Sequence, residues 1–74
     1  MRPQDILELL KAKPFEPFEM QLSTGECFAV HHPENLLVGR SKCYFPVFED
    51  GIVERMVHIA LMYIVKIELL NHRP

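Results

Sequence analysis

Residues 57–70 read VHIALMYIVKIELL, and this segment decides the fold class of the chain. Every odd-numbered position is apolar, whereas the even-numbered positions include His58, Lys66 and Glu68. Such alternation, rich in β-branched residues, is typical of β-strands with one buried face. The segment therefore predicts β structure with an odd-numbered core face. The residues of that face are Val57, Ile59, Leu61, Tyr63, Val65, Ile67 and Leu69.

One straight strand of this length does not fit a small domain. At about 3.3 Å per residue the segment would extend roughly 43 Å, whereas a compact chain of this size has a radius of gyration of about 11 Å. The even-numbered positions also become apolar between Ala60 and Tyr63. Because this stretch contains neither Gly nor Pro, we expect a tight corner of one 3₁₀ turn between two consecutive strands.

Length and composition limit the class of protein. The chain has 74 residues, which predicts a single domain over residues 1–74 with a small core. Its hydrophobic content of 49% is globular, and no apolar run approaches the roughly 20 residues of a membrane span. A net charge of −2 lacks the basic character of a dedicated nucleic-acid-binding protein.

The two cysteines, Cys27 and Cys43, are too few for a disulfide-rich scaffold. The N-terminus does not read as a signal peptide, because charges stand at Arg2 and Asp5. We therefore expect a cytoplasmic protein with reduced thiols and no membrane association.

Residues 3–12 predict the one α-helix of the chain. Pro3 suits a first helical turn, and Pro14 ends the helix because it forces Lys13 out of helical geometry. An isolated helix this short is marginal, so we expect its apolar face to cover one end of the β structure. That face consists of Ile6, Leu7, Leu9 and Leu10.

Residues 18–30 predict a β-hairpin around Ser23-Thr24-Gly25. A three-residue loop, with Gly25 in the left-handed position of a bulge, places Met20 opposite Phe28 on one face. A two-residue loop would instead place Phe28 opposite Gln21, on the wrong face. The register therefore selects the three-residue loop.

Further strand segments lie at residues 36–38, 43–48 and 52–59. Pro46 cannot donate a ladder hydrogen bond and so indicates an edge or a bulge. The sequence as a whole predicts a mainly β fold with one N-terminal α-helix and five or six strands over about residues 15–70. We expect the tail, residues 71–74, to be frayed.

The order of these elements resembles the Sm-like family of small β-barrels. In that family an N-terminal helix precedes a strongly bent antiparallel sheet, and a short 3₁₀ turn links the last two strands. The resemblance rests on the hairpin at 22–25, the Asn35-Leu36 step and residues 57–69, although Ala29-Val30 stands where the family has a bending glycine. It implies a small, strongly bent antiparallel barrel of the SH3-like or Sm-like type. Residues 15–30 and 32–34 also resemble a set of short bacterial proteins of unassigned function.

Sm-like proteins assemble into rings that bind RNA, so the resemblance implies RNA binding as an alternative function. Phosphate contacts dominate nucleic-acid affinity, and the acidic net charge opposes this function. A ring would nevertheless gather basic residues from several subunits on one rim. Either Tyr44 or Phe45 would supply a stacking surface. The candidate RNA-binding residues are His32, Asn35, Arg40 and Lys42.

The preferred function is a non-enzymatic structural or interaction module that associates with itself. A core this small gains stability from assembly, and natural proteins rarely leave an apolar sheet edge bare. Ala60, Met62 and Ile64 are apolar but have no place in an odd-numbered core. We therefore expect them at the interface of a homo-oligomer, in which head-to-tail contacts close into a ring.

The sequence predicts neither an enzyme nor a cofactor or metal site. Its histidines and cysteines lack C-x-x-C or H-x-x-x-H spacing. Cys27 falls within a strand, where packing is more typical than nucleophilic reactivity. No acid/base pair is evident, and a barrel this small leaves little room for a pocket. The histidines are His31, His32, His58 and His72.

Overall fold

The computed structural model describes residues 1–70 and contains one N-terminal helix followed by six β-strands. The predicted frayed tail and His72 lie outside the described residues. In chain order the elements are α1 (Pro3–Lys11), β1 (Phe18–Leu22), β2 (Cys27–Val30), a first 3₁₀ turn (Pro33–Asn35), β3 (Leu37–Val38), β4 (Lys42–Glu49), β5 (Ile52–Ala60), a second 3₁₀ turn (Leu61–Tyr63) and β6 (Ile64–Leu69).

The strands form two antiparallel sheets of three strands each. The first sheet has the order β2-β1-β6 and the second has the order β3-β4-β5. The predicted mainly β class, the single helix and the number of strands are confirmed. Within residues 1–70 the strands do not close into a barrel, so the predicted SH3-like or Sm-like barrel is not confirmed.

Helix α1 packs three of the four predicted apolar residues on the β structure, whereas Leu7 lines a shallow depression on the helix. Ile6 is fully buried, and Leu9 and Leu10 pack against the same core. The first turn is tied by the Asp5 carboxylate, which accepts hydrogen bonds from the Arg2 backbone N–H and guanidinium, each at 3.2 Å. These hydrogen bonds lower the pKa of Asp5 and raise that of Arg2.

The first hairpin has the predicted register. Met20 pairs with Phe28, and Gly25 adopts a positive φ of 95° in the loop. The loop closes through a hydrogen bond of 2.8 Å from the Leu22 N–H to the Glu26 carbonyl. The three-residue loop is therefore confirmed, together with the face that it buries.

The predicted corner is also confirmed, as the second 3₁₀ turn between β5 and β6. Its first residue, Leu61, donates its N–H to the Ser41 carbonyl at 3.0 Å. Its last residue, Tyr63, accepts a hydrogen bond of 2.9 Å from the Ser23 N–H. The corner is thus tied to a loop of the second sheet on one side and to the first hairpin on the other.

The prediction that all odd-numbered residues of 57–69 face the core is wrong at Tyr63, Val65 and Leu69, although Ile67 packs against the core. Ile64 is 4% exposed and belongs to the core, whereas Val65 is 60% exposed. Along β6 the register shifts, because Met20 pairs with Ile67 but Leu22 pairs with Ile64. One extra residue of β6 is accommodated between these pairs as a bulge. The corner and the bulge together place Ile64 and Ile67 on the core side.

The core lies between the two sheets and is capped by α1. Phe28 of the first sheet meets Phe45 of the second, edge to face, with ring centroids 5.2 Å apart. Burial of side chains from both sheets and from the helix holds these three layers together. The buried residues are Ile6, Phe18, Met20, Val30, Leu36, Cys43, Ile59, Leu61 and Ile64.

Candidate functional site

The second sheet buries one face and exposes the other. On β4, Cys43 is buried and Phe45 packs against the core, so the alternate residues Tyr44, Pro46 and Phe48 lie on the opposite face. We call this opposite surface the outer sheet face. Strand pairing assigns to it Leu37, Lys42, Tyr44, Pro46, Phe48, Val53, Met56, His58 and Ala60.

Apolar side chains dominate the outer sheet face. Leu37 is 58% exposed, Phe48 is 50% exposed and Val53 is 47% exposed, and Met56 lies beside Pro46 in the same sheet. Phe48 pairs directly with Val53, so these two exposed side chains are neighbours across the strands. Exposed apolar side chains that share one sheet face make this face a candidate interaction surface.

Tyr44 organises the end of the outer sheet face next to the turn between β3 and β4. The His58 ring meets the Tyr44 ring edge to face at 4.8 Å, and the Lys42 Nζ lies 5.7 Å from the Tyr44 ring centroid. The second distance is within the range of a cation–π contact. Gly39 lies against the same ring, since a Cβ atom there would be 3.6 Å from the Tyr44 Cε2. This end of the face is therefore aromatic and positively charged.

The four candidate RNA-binding residues lie in two different turns. His32 and Asn35 belong to the connection before β3, and the Asn35 N–H donates to the His32 carbonyl at 3.0 Å. Arg40 and Lys42 flank the turn after β3 and are exposed. In the part of the chain that the structure describes, no side-chain hydrogen bond or ion pair joins any of the four.

The two residues considered for base stacking lie on opposite faces of β4. Tyr44 is on the outer sheet face beside Lys42, whereas Phe45 packs inward on Phe28. The alternation of side chains along a strand requires this separation. Of the two, Tyr44 is therefore the one that lies beside a basic candidate residue.

The three residues predicted for the oligomer interface are divided between the surface and the core. Met62, in the middle of the second 3₁₀ turn, is 76% exposed, and Ala60 is half-buried at the end of β5. Ile64 is a core residue, because the three-residue turn changes which side of the chain faces inward. Tyr63 and Val65, expected in the core, are instead exposed beside Met62.

Two consecutive strands with unpaired edges flank this corner. Among the strands of residues 1–70, β5 is one of the two edge strands of the second sheet and β6 is one of the two edge strands of the first. β5 runs for nine residues, which is long for an edge strand. Exposed edges of this length present backbone groups that pair readily with another chain.

Three observations concern possible metal, thiol and pocket sites in the described residues. No group of three or more His, Cys, Asp or Glu side chains within residues 1–70 is arranged to hold a metal ion. Burial raises the pKa of the Cys43 thiol to about 11, so this thiol is protonated at neutral pH. A shallow depression of about 370 Å³ on α1 is lined by Gln4, Leu7, Glu8, Lys11 and Ala12, which lie on or directly after that helix.

Sequence reasoning recognised the aromatic strand around Pro46 but missed the extent of the exposed face. The Asp50-Gly51 turn indicates the pair of Phe48 with Val53. In a hairpin with a two-residue loop, the residues directly before and after the loop pair with each other, and the next residues out pair in turn. The place of Met56 on the outer sheet face could not be predicted from the sequence, because it depends on a register shift between Val47 and Phe48.

No helix among residues 1–70 has both the length and the apolar character needed to cross a membrane. No protein-family model matches the chain, and no curated protein or solved structure shows significant similarity to it.

Proposed function

We propose that this protein is a non-enzymatic interaction module that associates with copies of itself. The observation that carries the proposal is the number of large hydrophobic residues that the fold leaves exposed within residues 1–70. A folded chain of 8.7 kDa is expected to expose roughly 4,700 Å². The total accessible surface of this chain, polar and apolar together, is 5390 Å². The large hydrophobic residues that contribute are Met1, Leu37, Phe48, Ile52, Val53, Met56, Met62, Tyr63, Val65, Leu69 and Leu70.

The proposed architecture is a small, strongly bent barrel of the SH3-like or Sm-like type. Two features support it. The chain passes between the two sheets twice, from β2 to β3 and from β5 to β6, and each passage contains a 3₁₀ turn. The two sheets also pack across one core, through contacts such as that between Phe28 and Phe45. In such a barrel the exposed edges of β5 and β6 lie on either side of one corner.

We place the proposed contact at that corner. Met62, Tyr63 and Val65 form an exposed apolar cluster between the two unpaired strand edges. A second copy can add a strand to either edge, which satisfies backbone hydrogen bonds, while the cluster supplies apolar burial. Such head-to-tail contacts close into a ring when the rotation between subunits permits it. Ile64 supports this surface from within the core rather than as a contact residue.

The test is the mass of the protein in solution, measured by multi-angle light scattering across the micromolar range. The wild type is expected to exceed 8.7 kDa and to gain mass with concentration. Met62→Lys should shift the mass toward the monomer, because it buries an unpaired charge in the contact. Gln4→Lys, on the exposed side of α1, is the matched control and should leave the mass unchanged. A wild-type monomer at every concentration would refute the proposal.

RNA binding by the assembled protein is the second candidate. The observation that favours it is the cluster of Lys42, the half-buried Tyr44 and His58, which combines positive charge with an aromatic surface. Arg40 lies two residues before Lys42 and adds a second cation in the same turn. Fluorescence anisotropy with a short single-stranded RNA tests it. Binding is expected to weaken with salt and on Arg40→Ala or Lys42→Ala. The control Lys13→Ala should leave binding intact, and equal binding by all variants would rule out this site.

A further inference from the structure

We propose that the outer sheet face is a two-fold symmetric interface, on which a second copy of the chain packs with its β4 antiparallel to the first. This inference rests on the proposed self-association and names a surface distinct from the β5–β6 corner. It concerns the exposed strip from Lys42 to the Asp50-Gly51 turn. Three observations lead to it: the apolar part of the strip, the opposite charges at its two ends and the spacing of residues along β4.

The strip is apolar from its middle, at Pro46 and Met56, to Phe48 and Val53 near the hairpin tip. Phe48 and Val53 are paired neighbours, each about half exposed, and the next outward pair is Pro46 with Met56. Sheets that pack face to face lie about 10 Å apart, with side chains of the facing surfaces interdigitated. An unbranched methionine adapts readily to such a surface. This part of the strip therefore has the composition of an interface core.

The two ends of the strip carry opposite charge. Arg40 and Lys42 stand at the end next to the β3–β4 turn, and His58 lies there too. Asp50 and Glu54 stand at the other end, around the hairpin tip, whereas Glu49 alternates with Phe48 and so lies on the inward side. Arg55 is also near the tip, but it pairs with Val47 on the inward side of the sheet. A second copy turned end for end brings each basic end to an acidic end, so the face is complementary to itself.

The spacing along β4 makes this complementarity residue-specific. The alternate positions of β4 are Lys42, Tyr44, Pro46 and Phe48, and Asp50 follows directly after the strand, in the turn. A two-fold axis at Pro46 places Tyr44 opposite the partner subunit's Phe48 and Lys42 opposite the partner subunit's Asp50. Each of these pairs occurs twice, as an isologous interface requires. Both pairs are favourable, one as an aromatic contact and one as an ion pair.

Pro46 also argues for packing on the face rather than strand addition beside β4. β3 pairs only with Cys43 and Tyr44, so β4 lacks a partner on that side beyond Tyr44 in the described residues. A proline has no backbone N–H to offer to an added strand. The apolar face, rather than this short edge, therefore remains for a partner to cover.

The test is a pair of charge reversals, Lys42→Asp and Asp50→Lys, measured by sedimentation equilibrium. In a dimer of either variant alone, positions 42 and 50 carry the same charge, and they face each other twice. Each variant should therefore associate roughly tenfold or more weakly than the wild type. Mixed in equal amounts, the two variants restore opposite charges at both contacts. The mixture should therefore form a heterodimer with nearly wild-type affinity. Circular dichroism verifies that each variant is folded.

Controls separate the interface from general effects of charge and strain. Lys13→Asp and Glu16→Lys reverse the same charges in the connector after α1 and should not change association. Asp50 has a positive φ of 54°, a conformation that lysine adopts less readily than aspartate. Asp50→Asn keeps a residue suited to that turn and should still weaken association, because it removes the ion pair.

The outcomes distinguish this inference from the proposed function. Weakening by the single reversals together with recovery in the mixture supports the two-fold register. Weakening without recovery overturns that register. If Met62→Lys dissociates the protein while the reversals have no effect, self-association stands and the outer sheet face is not its interface. A wild-type protein that never associates refutes both proposals.

Discussion

Gly25 controls the register of the first hairpin through its backbone conformation alone. Its φ is 95°, and a Cβ atom added there would meet nothing within 4 Å. Substitution is therefore resisted by backbone strain and not by a steric clash with neighbours. This residue places Met20 opposite Phe28 and so fixes which face of the hairpin enters the core.

Gly25→Val should lower the free energy of unfolding by about 1 kcal/mol or more, because a β-branched residue resists positive φ. Urea denaturation followed by circular dichroism measures the change. Ser23→Val, in the same exposed loop, is the control and should cost less. An unchanged midpoint for Gly25→Val would show that the loop does not depend on a left-handed residue.

Cys43 makes stability sensitive to alkaline pH. Burial raises its thiol pKa from 9.0 to about 11, so folding favours the protonated thiol. The stabilisation is complete below pH 9, where the unfolded chain is also protonated, and is lost as pH rises from 9 to 11. The loss can reach about 2 to 3 kcal/mol.

Comparison of the wild type with Cys43→Ala tests this linkage. Lysine and tyrosine groups also titrate in this range, so the quantity to compare is the slope of unfolding free energy against pH. The wild type should lose stability more steeply than Cys43→Ala between pH 9 and 11. Parallel slopes would show that the thiol ionises equally in the folded and unfolded chains.

At the scale of elements, the pairing of β6 with β1 determines which side chains of β6 face the core. The bulge between the Ile64 and Ile67 pairs keeps both isoleucines on the core side and directs Val65 outward. A regular strand with the odd-numbered face buried would have exposed Ile64 and buried Val65. Two adjacent residues therefore distinguish the bulged strand from the regular one.

Ile64→Ala should cost about 2 to 5 kcal/mol of stability, because it truncates a core side chain. Val65→Ala should cost less than about 1 kcal/mol, since Val65 is largely exposed. Chemical denaturation of the two variants side by side provides the measurement. A larger loss of stability for Val65→Ala than for Ile64→Ala would show that the odd-numbered residues of β6 face the core and that the strand has no bulge.

At the scale of the whole molecule, the chain is small and exposes much apolar surface. Its radius of gyration is 12.1 Å. A compact chain of this length is expected to have roughly 11 Å. The two values are close, and the tip of the long β4–β5 hairpin carries the exposed Phe48, Ile52 and Val53. Assembly that covers this surface would add to the stability of the fold.

The unfolding midpoint should therefore rise with protein concentration. Thermal unfolding at several concentrations across the micromolar range measures this directly. Met62→Lys should reduce the dependence if the corner is the contact, and Lys42→Asp should reduce it if the outer sheet face is. A midpoint independent of concentration would mean that folding does not draw on assembly.

Local chemistry made much of the fold predictable. Helix α1, the hairpin loop at Gly25 and the 3₁₀ corner after Ala60 each depend on residues close together in sequence. The alternation of apolar and polar residues also predicts the buried face where a strand is regular. In β1, for example, Phe18 and Met20 are buried. Prolines, a glycine with positive φ and periodic apolar residues act within a few positions, so their effects can be read without knowing the partner strands.

Tertiary structure alone decided which residues of the later strands face outward. The bulge in β6 depends on the pairing of β6 with β1. The register shift between β4 and β5 lies at Val47 and Phe48 and depends on how those two strands pair. The same long-range pairing buries Ile64 and brings Met56 beside Pro46 on the outer sheet face. A ladder register is set by the contacts of both strands at once, and one inserted residue exchanges the faces of all that follow. For that reason, the buried interior and the candidate interface became distinguishable only when the strands were paired.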